Sequence, residues 1–309
     1  MQRATEGAVR RVANTSAIPS VITLSRDDSS PSRGSTMTSP VQLDSLIALA
    51  LAAGREIMAV RAAGIDAQTK ADGTLVTLAD QRAEAIIEAG LAKLAPDLPM
   101  LGEEAVAAGR IPSLGARYFC VDPLDGTRGF AKGGDEFTVN IALIEDATPT
   151  FGVVYAPATG ALYAGEPGRA LAGHCDPRTA ELRAPLTPIA ASATLPLQSR
   201  IVASDFSGRN ERTRTFIAAL DGVTAHASSS IKFCRLAEGR ADLYPRFGDV
   251  CEWDAAAGHA ILRAAGGDIV RLDGSPLRYG QAQDNFLIHG FVAYANEAAK
   301  QAALRALSA

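Results

Sequence analysis

From Leu43 onward, apolar residues recur at Leu43, Leu46, Ile47, Ala50, Leu51, Gly54, Ile57 and Met58. Spacings of three and four put them on one face and predict an amphipathic helix. After a turn holding Asp72 and Gly73, the stretch QRAEAIIEAGLAKL (81–94) predicts a second helix, with Thr77 and Asp80 three apart just ahead of it. The pattern then changes to short β-branched and aromatic runs separated by turn residues, RYFCVD (117–122), FTVNIALI (137–144) and FGVVYA (151–156), which read as strands. Residues 172–199 contain four prolines and little periodicity, so a domain boundary is expected near 185–198, between a 37–190 part and a 191–309 part. Beyond it the chain alternates: strand RIVAS, helices NERTRTFIAAL, IKFCRLAEG and DAAAGHAILRAAG, strands DIVRL and FVAY, and helix NEAAKQAALRAL. The fold class is α/β, an α+β half followed by an α/β half.

Residues 1–36 stand apart, rich in Ser, Arg and Thr, without sustained periodicity and without the apolar core of a signal peptide. They read as a disordered or non-native extension, with Met37 as the alternative start.

Composition narrows the classes. Of 309 residues, 47% are hydrophobic and 21% charged, enough for a sizeable core, and the net charge of −4 argues against a nucleic-acid polymer as partner. No apolar run reaches the length of an integral membrane segment. Cys120, Cys175, Cys234 and Cys251 form no C-x-x-C pair, and Cys120 and Cys234 lie in apolar runs, which fits a reduced, cytoplasmic protein.

The chemistry gathers on acids. In VDPLDGTRGF (121–130) a strand delivers Asp122 to its end, Pro123 stops that strand from simply continuing, and Asp125 follows one turn later. Gly126 and Thr127 then open the next segment with free N–H groups, a seat for phosphate. A plain turn with side-chain hydrogen bonds is the alternative. Glu103 and Glu104 in LGEEAV read as a solvated pair or as ligands, Asp254 in WDAAAG as an N-cap or a ligand, and Thr77 with Asp80 as a capping box or part of the same site. Converging carboxylates repel unless cations join them, and oxygen donors of this kind suit Mg²⁺. Two such ions about 3.5–4 Å apart would clamp a phosphoryl group.

Three marks, Gly102-Glu103-Glu104, Asp122-Pro123-Leu124-Asp125-Gly126-Thr127 and Trp253-Asp254-Ala255-Ala256-Ala257-Gly258, resemble those of the inositol monophosphatase superfamily, from about residue 40 to 295. Within it the chain looks most like 3′(2′),5′-bisphosphate nucleotidases of the CysQ type, through DEFTVNIALIEDATPTFGVVYAP, SSSIKFCRLAEGRADLYPRF and EWDAAAGHAILRAAGG. The resemblance implies a layered αβαβα sandwich and hydrolysis of adenosine 3′,5′-bisphosphate (PAP) to AMP, with PAPS to APS as a further reaction. It implies two to three Mg²⁺ ions held by Glu103, Asp122, the Leu124 carbonyl, Asp125 and Asp254. Thr127 and Asp80, with Glu103, would act on the attacking water, and Glu104 and Thr77 would stand behind them. Ser229, Lys232 and Arg246 would join Leu124, Asp125, Gly126, Thr127 and Asp254 around the substrate, the two cations reading a second phosphate. A monomer or homodimer, inhibition by Li⁺ and Ca²⁺, and a cytoplasmic location, free or peripheral to the inner membrane, are also implied.

There are departures from that pattern. SDFSGRN (204–210) stands where the nucleotidases usually show S-R-S-H, and Gly129 replaces a common Glu. The string GGDEF (133–137) matches the signature of diguanylate cyclases, but no upstream D-x-D-x-F type strand accompanies it, and Glu136 and Phe137 occupy the acidic-Phe place that enters a strand in the resembled family. The rival readings are an inositol or sugar monophosphatase and a non-catalytic nucleotide-binding protein.

A chain starting at Met37 is expected to keep both melting temperature and activity; a loss of several degrees in a thermal melt would show that the first 36 residues pack on the rest.

Overall fold

The computed structural model describes residues 41–65, 67–70, 75–204, 208 and 210–308. The expected N-terminal extension, the turn at Asp72 and Gly73 and most of the stretch 204–210 lie outside the described residues.

The first half runs α1 (Leu43–Ala63), β1 (Ala67–Thr69), β2 (Leu75–Thr77), α2 (Leu78–Leu94), β3 (Met100–Gly102), α3 (Glu103–Ala107), β4 (Arg117–Asp125), α4 (Thr127–Ala131), β5 (Thr138–Glu145), β6 (Thr148–Ala156), β7 (Ala161–Glu166), β8 (Arg169–His174) and β9 (Thr187–Ile189). The second half runs β10 (Arg200–Ala203), α5 (Glu211–Ala219), β11 (Val223–His226), α6 (Ile231–Ala237), β12 (Leu243–Arg246), β13 (Val250–Cys251), α7 (Glu252–Ala264), β14 (Asp268–Arg271), β15 (Leu287–Ile288), β16 (Phe291–Tyr294) and α8 (Glu297–Ser308).

Strands β3 to β9 form a seven-stranded sheet in sequence order, parallel at β3–β4 and antiparallel elsewhere. A second sheet has the order β11-β10-β12-β16-β14. Side chains alternate strictly. Phe119, Val121, Val139, Ile141, Leu143, Val153 and Tyr155 pack with α1 and α2, whereas Tyr118, Cys120, Ala142, Ile144 and Val154 pack with α6 and α7. The five-stranded sheet repeats this: Val202, Tyr244, Ile269, Phe291 and Ala293 join α6 and α7, and Ile201, Leu243, Val270, Val292 and Tyr294 join α5 and α8. The result is an αβαβα sandwich with three apolar seams. Because both faces of each sheet are covered, β5 reads as the near-continuous apolar run TVNIALI rather than as an alternating one.

Three details differ from expectation. Strand β4 does not end before Pro123. It continues to Asp125 through a bulge, since Asp122 pairs with Asn140 and Asp125 with Thr138, three residues against two. Proline removes one ladder donor, and the extra residue lets the chain pair again beyond it. Strands β7 and β8 arise from ALYAGE and RALAGH, whose small residues give little strand signal. Strand β12 holds Pro245 although it lies between two strands. Its pairing with β10 is confined to Ile201 and Leu243, so the proline lies beyond the paired stretch.

Helix α7 sits between the sheets and carries an alanine-rich face, Ala255, Ala256, Ala257 and Ala260, all buried. The approach to β6 is so close that a Cβ on Gly152 would stand 2.3 Å from the Ala257 carbonyl oxygen. Gly152→Ala is therefore expected to destabilise the protein by about 1–3 kcal/mol in urea unfolding, because the clash is with backbone that cannot turn aside; an unchanged midpoint would contradict it.

Candidate active site

The polar side chains singled out from the sequence gather where several elements end. Asp122 and Asp125 flank the β4 bulge, Asp254 lies in the first turn of α7, Glu103 opens α3, and Thr77 and Asp80 sit at the start of α2. Thr127 opens α4, Ser229 and Lys232 lie around the start of α6, and Arg246 ends β12.

Asp122, Asp125 and Asp254 each offer a carboxylate oxygen, and these atoms lie within 4.8 Å of one another. Burial raises the proton affinity of Asp122 strongly, and Glu103, Asp125 and Asp254 add to the effect. Burial, then Asp125 and Glu103, push Asp254 up to about 7. Asp125 is raised by burial and held back by Lys232. The carboxylates thus await positive charge. An all-carboxylate donor set around one point fits a hard divalent cation, and no helix among the described residues is long and apolar enough to cross a membrane.

Local hydrogen bonds aim these groups. Leu124 N donates to Asp122 Oδ1 at 2.9 Å, and Cys251 N donates to Asp254 Oδ2 at 2.9 Å. Asp254 is therefore not the N-cap of α7. Cys251 is, and Asp254 is the third helical residue closing a capping box. The same device holds Asp80, whose Oδ2 accepts from Thr77 N at 2.7 Å and from Thr77 Oγ1 at 2.6 Å. Its other oxygen, Oδ1, accepts from Thr127 Oγ1 at 2.9 Å. Asp80 is 1% exposed, and burial raises its pKa against the bonds from Thr77 and Thr127. Gly126 has φ +101°, and a Cβ there would stand 2.8 Å from both Glu136 O and Ser229 Oγ, so the turn between Asp125 and Thr127 requires glycine.

Lys232 is not a surface lysine. It is 6% exposed, donates from Nζ to Ser229 O at 2.8 Å and lies 5.2 Å from the Tyr244 ring centroid. Burial lowers its pKa to about 8, opposed by Asp125 and reinforced by Arg246. Arg246 is half-buried and donates to Gly248 O and Asp249 O. Ser229 adopts φ +50°, with Oγ 3.2 Å from Asp125 O and 3.3 Å from Glu136 O.

Glu103 and Glu104 turn towards Lys70, which donates to Glu103 Oε1 at 2.8 Å and Glu104 Oε1 at 2.7 Å. Burial raises both carboxyls, Glu104 to about 7, against the pull of Lys70. Sequence reasoning missed Lys70, and it missed Ser230, which accepts from Asn140 Nδ2 at 3.0 Å and lies 2.9 Å from Asp254 O and 3.4 Å from Asp125 Oδ2. It also missed Glu84, which takes the Glu104 N–H at 2.8 Å. These contacts span 20 to 105 positions and leave no local spacing to read.

The profile of the Inositol monophosphatase family matches residues 41–308. The chain is 40% identical over 256 residues to 3′(2′),5′-bisphosphate nucleotidase CysQ of Shigella flexneri, covering 81% of this chain and 98% of that protein. It is 36% identical over 262 residues to the CysQ nucleotidase of Buchnera aphidicola, with 82% and 93% covered. Among solved structures, CysQ from Bacteroides thetaiotaomicron superposes with a TM-score of 0.66 at 34% identity, over 82% of this chain and 97% of that one. An inositol monophosphatase from Anabaena gives 0.64 at 26% identity, over 86% and 94%.

The raised carboxyls fix a sign. In the unfolded chain Asp254 titrates near pH 4, about the usual carboxylate value, and in the folded, metal-free chain at about 7. The native state then binds the extra proton, so this contribution to stability is full below about pH 4 and is lost as pH rises towards 7. Melting temperature in EDTA is expected to fall across that window, and the fall should be shallower in Asp125→Asn, which removes one repelling charge. A melting temperature that rises across the window in EDTA would contradict this.

Proposed function

Because the chain belongs to the inositol monophosphatase family, we propose that it is a Mg²⁺-dependent 3′(2′),5′-bisphosphate nucleotidase that hydrolyses PAP to AMP and phosphate. The observation that carries this reading is the Thr127–Asp80 pair at the end of β4, beside the oxygens of Asp122, Asp125 and Asp254. Bound Mg²⁺ would be held by Glu103, Asp122, the Leu124 carbonyl, Asp125 and Asp254 and would stabilise charge on the phosphoryl oxygens.

The chain's own groups do the rest. Thr127 Oγ1 orients an attacking water and relays its proton to Asp80 Oδ1, the oxygen that Thr77 leaves free for this partner. Burial makes Asp80 a stronger base than an exposed aspartate. The water oxygen bonds to phosphorus, the ester P–O bond breaks, and the ribose oxygen leaves and takes up a proton from solvent water. The N–H groups of Gly126 and Thr127 hold the reacting phosphate, and Lys232 and Arg246 grip the second phosphate of the nucleotide. That second grip separates the reading from an inositol monophosphatase, whose substrate has no second phosphate to hold. The relatives named as bisphosphate nucleotidases support the same choice.

Phosphate release with Mg²⁺ across PAP, PAPS, inositol 1-phosphate and fructose 1,6-bisphosphate is expected to favour PAP, and Asp125→Asn is expected to remove nearly all turnover while remaining folded. A charge-assisted bond is worth about 1.5–3 kcal/mol, so Lys232→Ala and Arg246→Ala should each lower kcat/KM for PAP by about 10- to 150-fold. Inositol 1-phosphate hydrolysis should change far less. A wild-type preference for inositol 1-phosphate, or an unchanged substrate ratio in both variants, would overturn the assignment.

A further inference from the structure

Glu103 and Glu104 open α3 side by side, and both are turned on a single ammonium. Lys70 Nζ lies 2.8 Å from Glu103 Oε1 and 2.7 Å from Glu104 Oε1, and only 9% of the Lys70 side chain is exposed. The carboxylate oxygens that converge within 4.8 Å are those of Asp122, Asp125 and Asp254; among the described residues Glu103 does not join that group. Its charge nevertheless acts on Asp122 and Asp254, while its Oε1 is given to Lys70. Lys70 directly follows β1, whose antiparallel partner β2 runs into Thr77, the cap that holds Asp80.

We propose that Lys70 is an internal counter-ion that holds Glu103 while the cation site is empty and yields it when a divalent cation loads, so that Lys70 sets the protein's apparent affinity for that cation. This rests on the reading of Glu103 as a metal ligand. The physical argument is competition. An oxygen that serves an ammonium at hydrogen-bond distance cannot give its full charge to a second cation, and the two positive charges repel across it. Because the pair is largely screened from solvent, water does not dilute that repulsion as it does for a surface ion pair. Glu104 gives Lys70 an alternative partner after Glu103 is released, so the lysine is displaced by one bond rather than stranded. Lys70 is thus a positioning residue that works through Glu103, and it limits premature loading by holding Glu103 away from the three aspartates.

The test is direct cation binding to the full chain without substrate, with Mg²⁺ by calorimetry and Mn²⁺ by electron paramagnetic resonance, at pH 8. Lys70→Met is expected to bind both ions about tenfold more tightly, the lower end of what one charge-assisted bond is worth. Lys70→Arg keeps the positive charge and should bind like wild type; a merely structural lysine would give weaker binding in the Met variant and no such rescue. In a Glu103→Gln background the gain from Lys70→Met should largely vanish. Binding in Lys70→Met equal to or weaker than wild type overturns the proposal, and Lys70→Gln takes its place if a melt in EDTA shows that the Met variant does not fold. If instead Glu103→Gln alone leaves cation affinity unchanged, the ligand reading itself falls, and with it the proposal.

Discussion

Mutual repulsion of carboxylates is the constraint around which the rest of the structure is arranged. Three of them bring oxygens within 4.8 Å of one another, and a fourth, Glu103, adds to their field. Left to themselves, flexible side chains would separate or take up protons. They stay because the backbone segments that bear them cannot move apart. Strand β4 is paired with β3 on one side and β5 on the other, and α7 is pressed onto β6 through alanine and glycine, with no long side chains to act as compressible spacers. Close-packed seams of this kind transmit strain rather than absorb it. The repulsion is therefore retained in the folded chain, where a bound cation can relieve it.

The layered order also separates two kinds of work. The seven-stranded sheet and its outer helices supply Asp80, Glu103, Asp122, Asp125 and Thr127, all around the β4 terminus. The cations Lys232 and Arg246 come from α6 and β12 on the side of the second sheet, and Asp254 comes from the helix between the sheets. Ser230 ties the parts together, lying within 3.4 Å of both the Asp254 carbonyl and the Asp125 carboxylate while accepting from Asn140. Under the proposed reading, a substrate with two phosphates would match this division, with one negative group for the carboxylates and their cation and another for the buried lysine and its arginine neighbour.

Much of this was legible in the sequence, and what was not has physical causes. Helices α1 and α2 announce themselves by period, and strands β4 to β6 by β-branched and aromatic runs that are buried on both faces of the sheet. Strands β7, β8 and β12 do not, because tight packing against α7 favours Ala and Gly in β7 and because Pro245 in β12, paired with Val292 of β16, lies beyond the short pairing with β10. The candidate site was legible where its geometry is local, in D-P-L-D-G-T and W-D-A-A-A-G. It was illegible where a distant segment completes it, as with Lys70 against Glu103 and Glu104. The GGDEF string is the reverse case. Its Asp135 pairs with Arg61 of α1, its Gly133 carbonyl accepts from the same guanidinium, and Phe137 is buried against Phe130, so the residues that spell the string serve to dock a loop.

Sequence reading set capping against function as alternatives for Asp80 and Asp254, and the geometry makes the two compatible. A carboxylate has two oxygens. Asp80 gives one to the Thr77 N–H and the other to Thr127; Asp254 gives one to the Cys251 N–H and Asp122 one to the Leu124 N–H, each leaving a second oxygen for other work. A bond to backbone two or three residues away fixes the side-chain torsions with parts that fold locally, and it costs no long-range contact. The remaining oxygen is then aimed before any ligand arrives, which lowers the entropy still to be lost on binding. The same logic explains why these acids sit at the starts of helices and at a strand bulge. Those are the places where a backbone N–H lacks a ladder or helix partner and is free to hold one oxygen of an acid whose other oxygen is needed elsewhere.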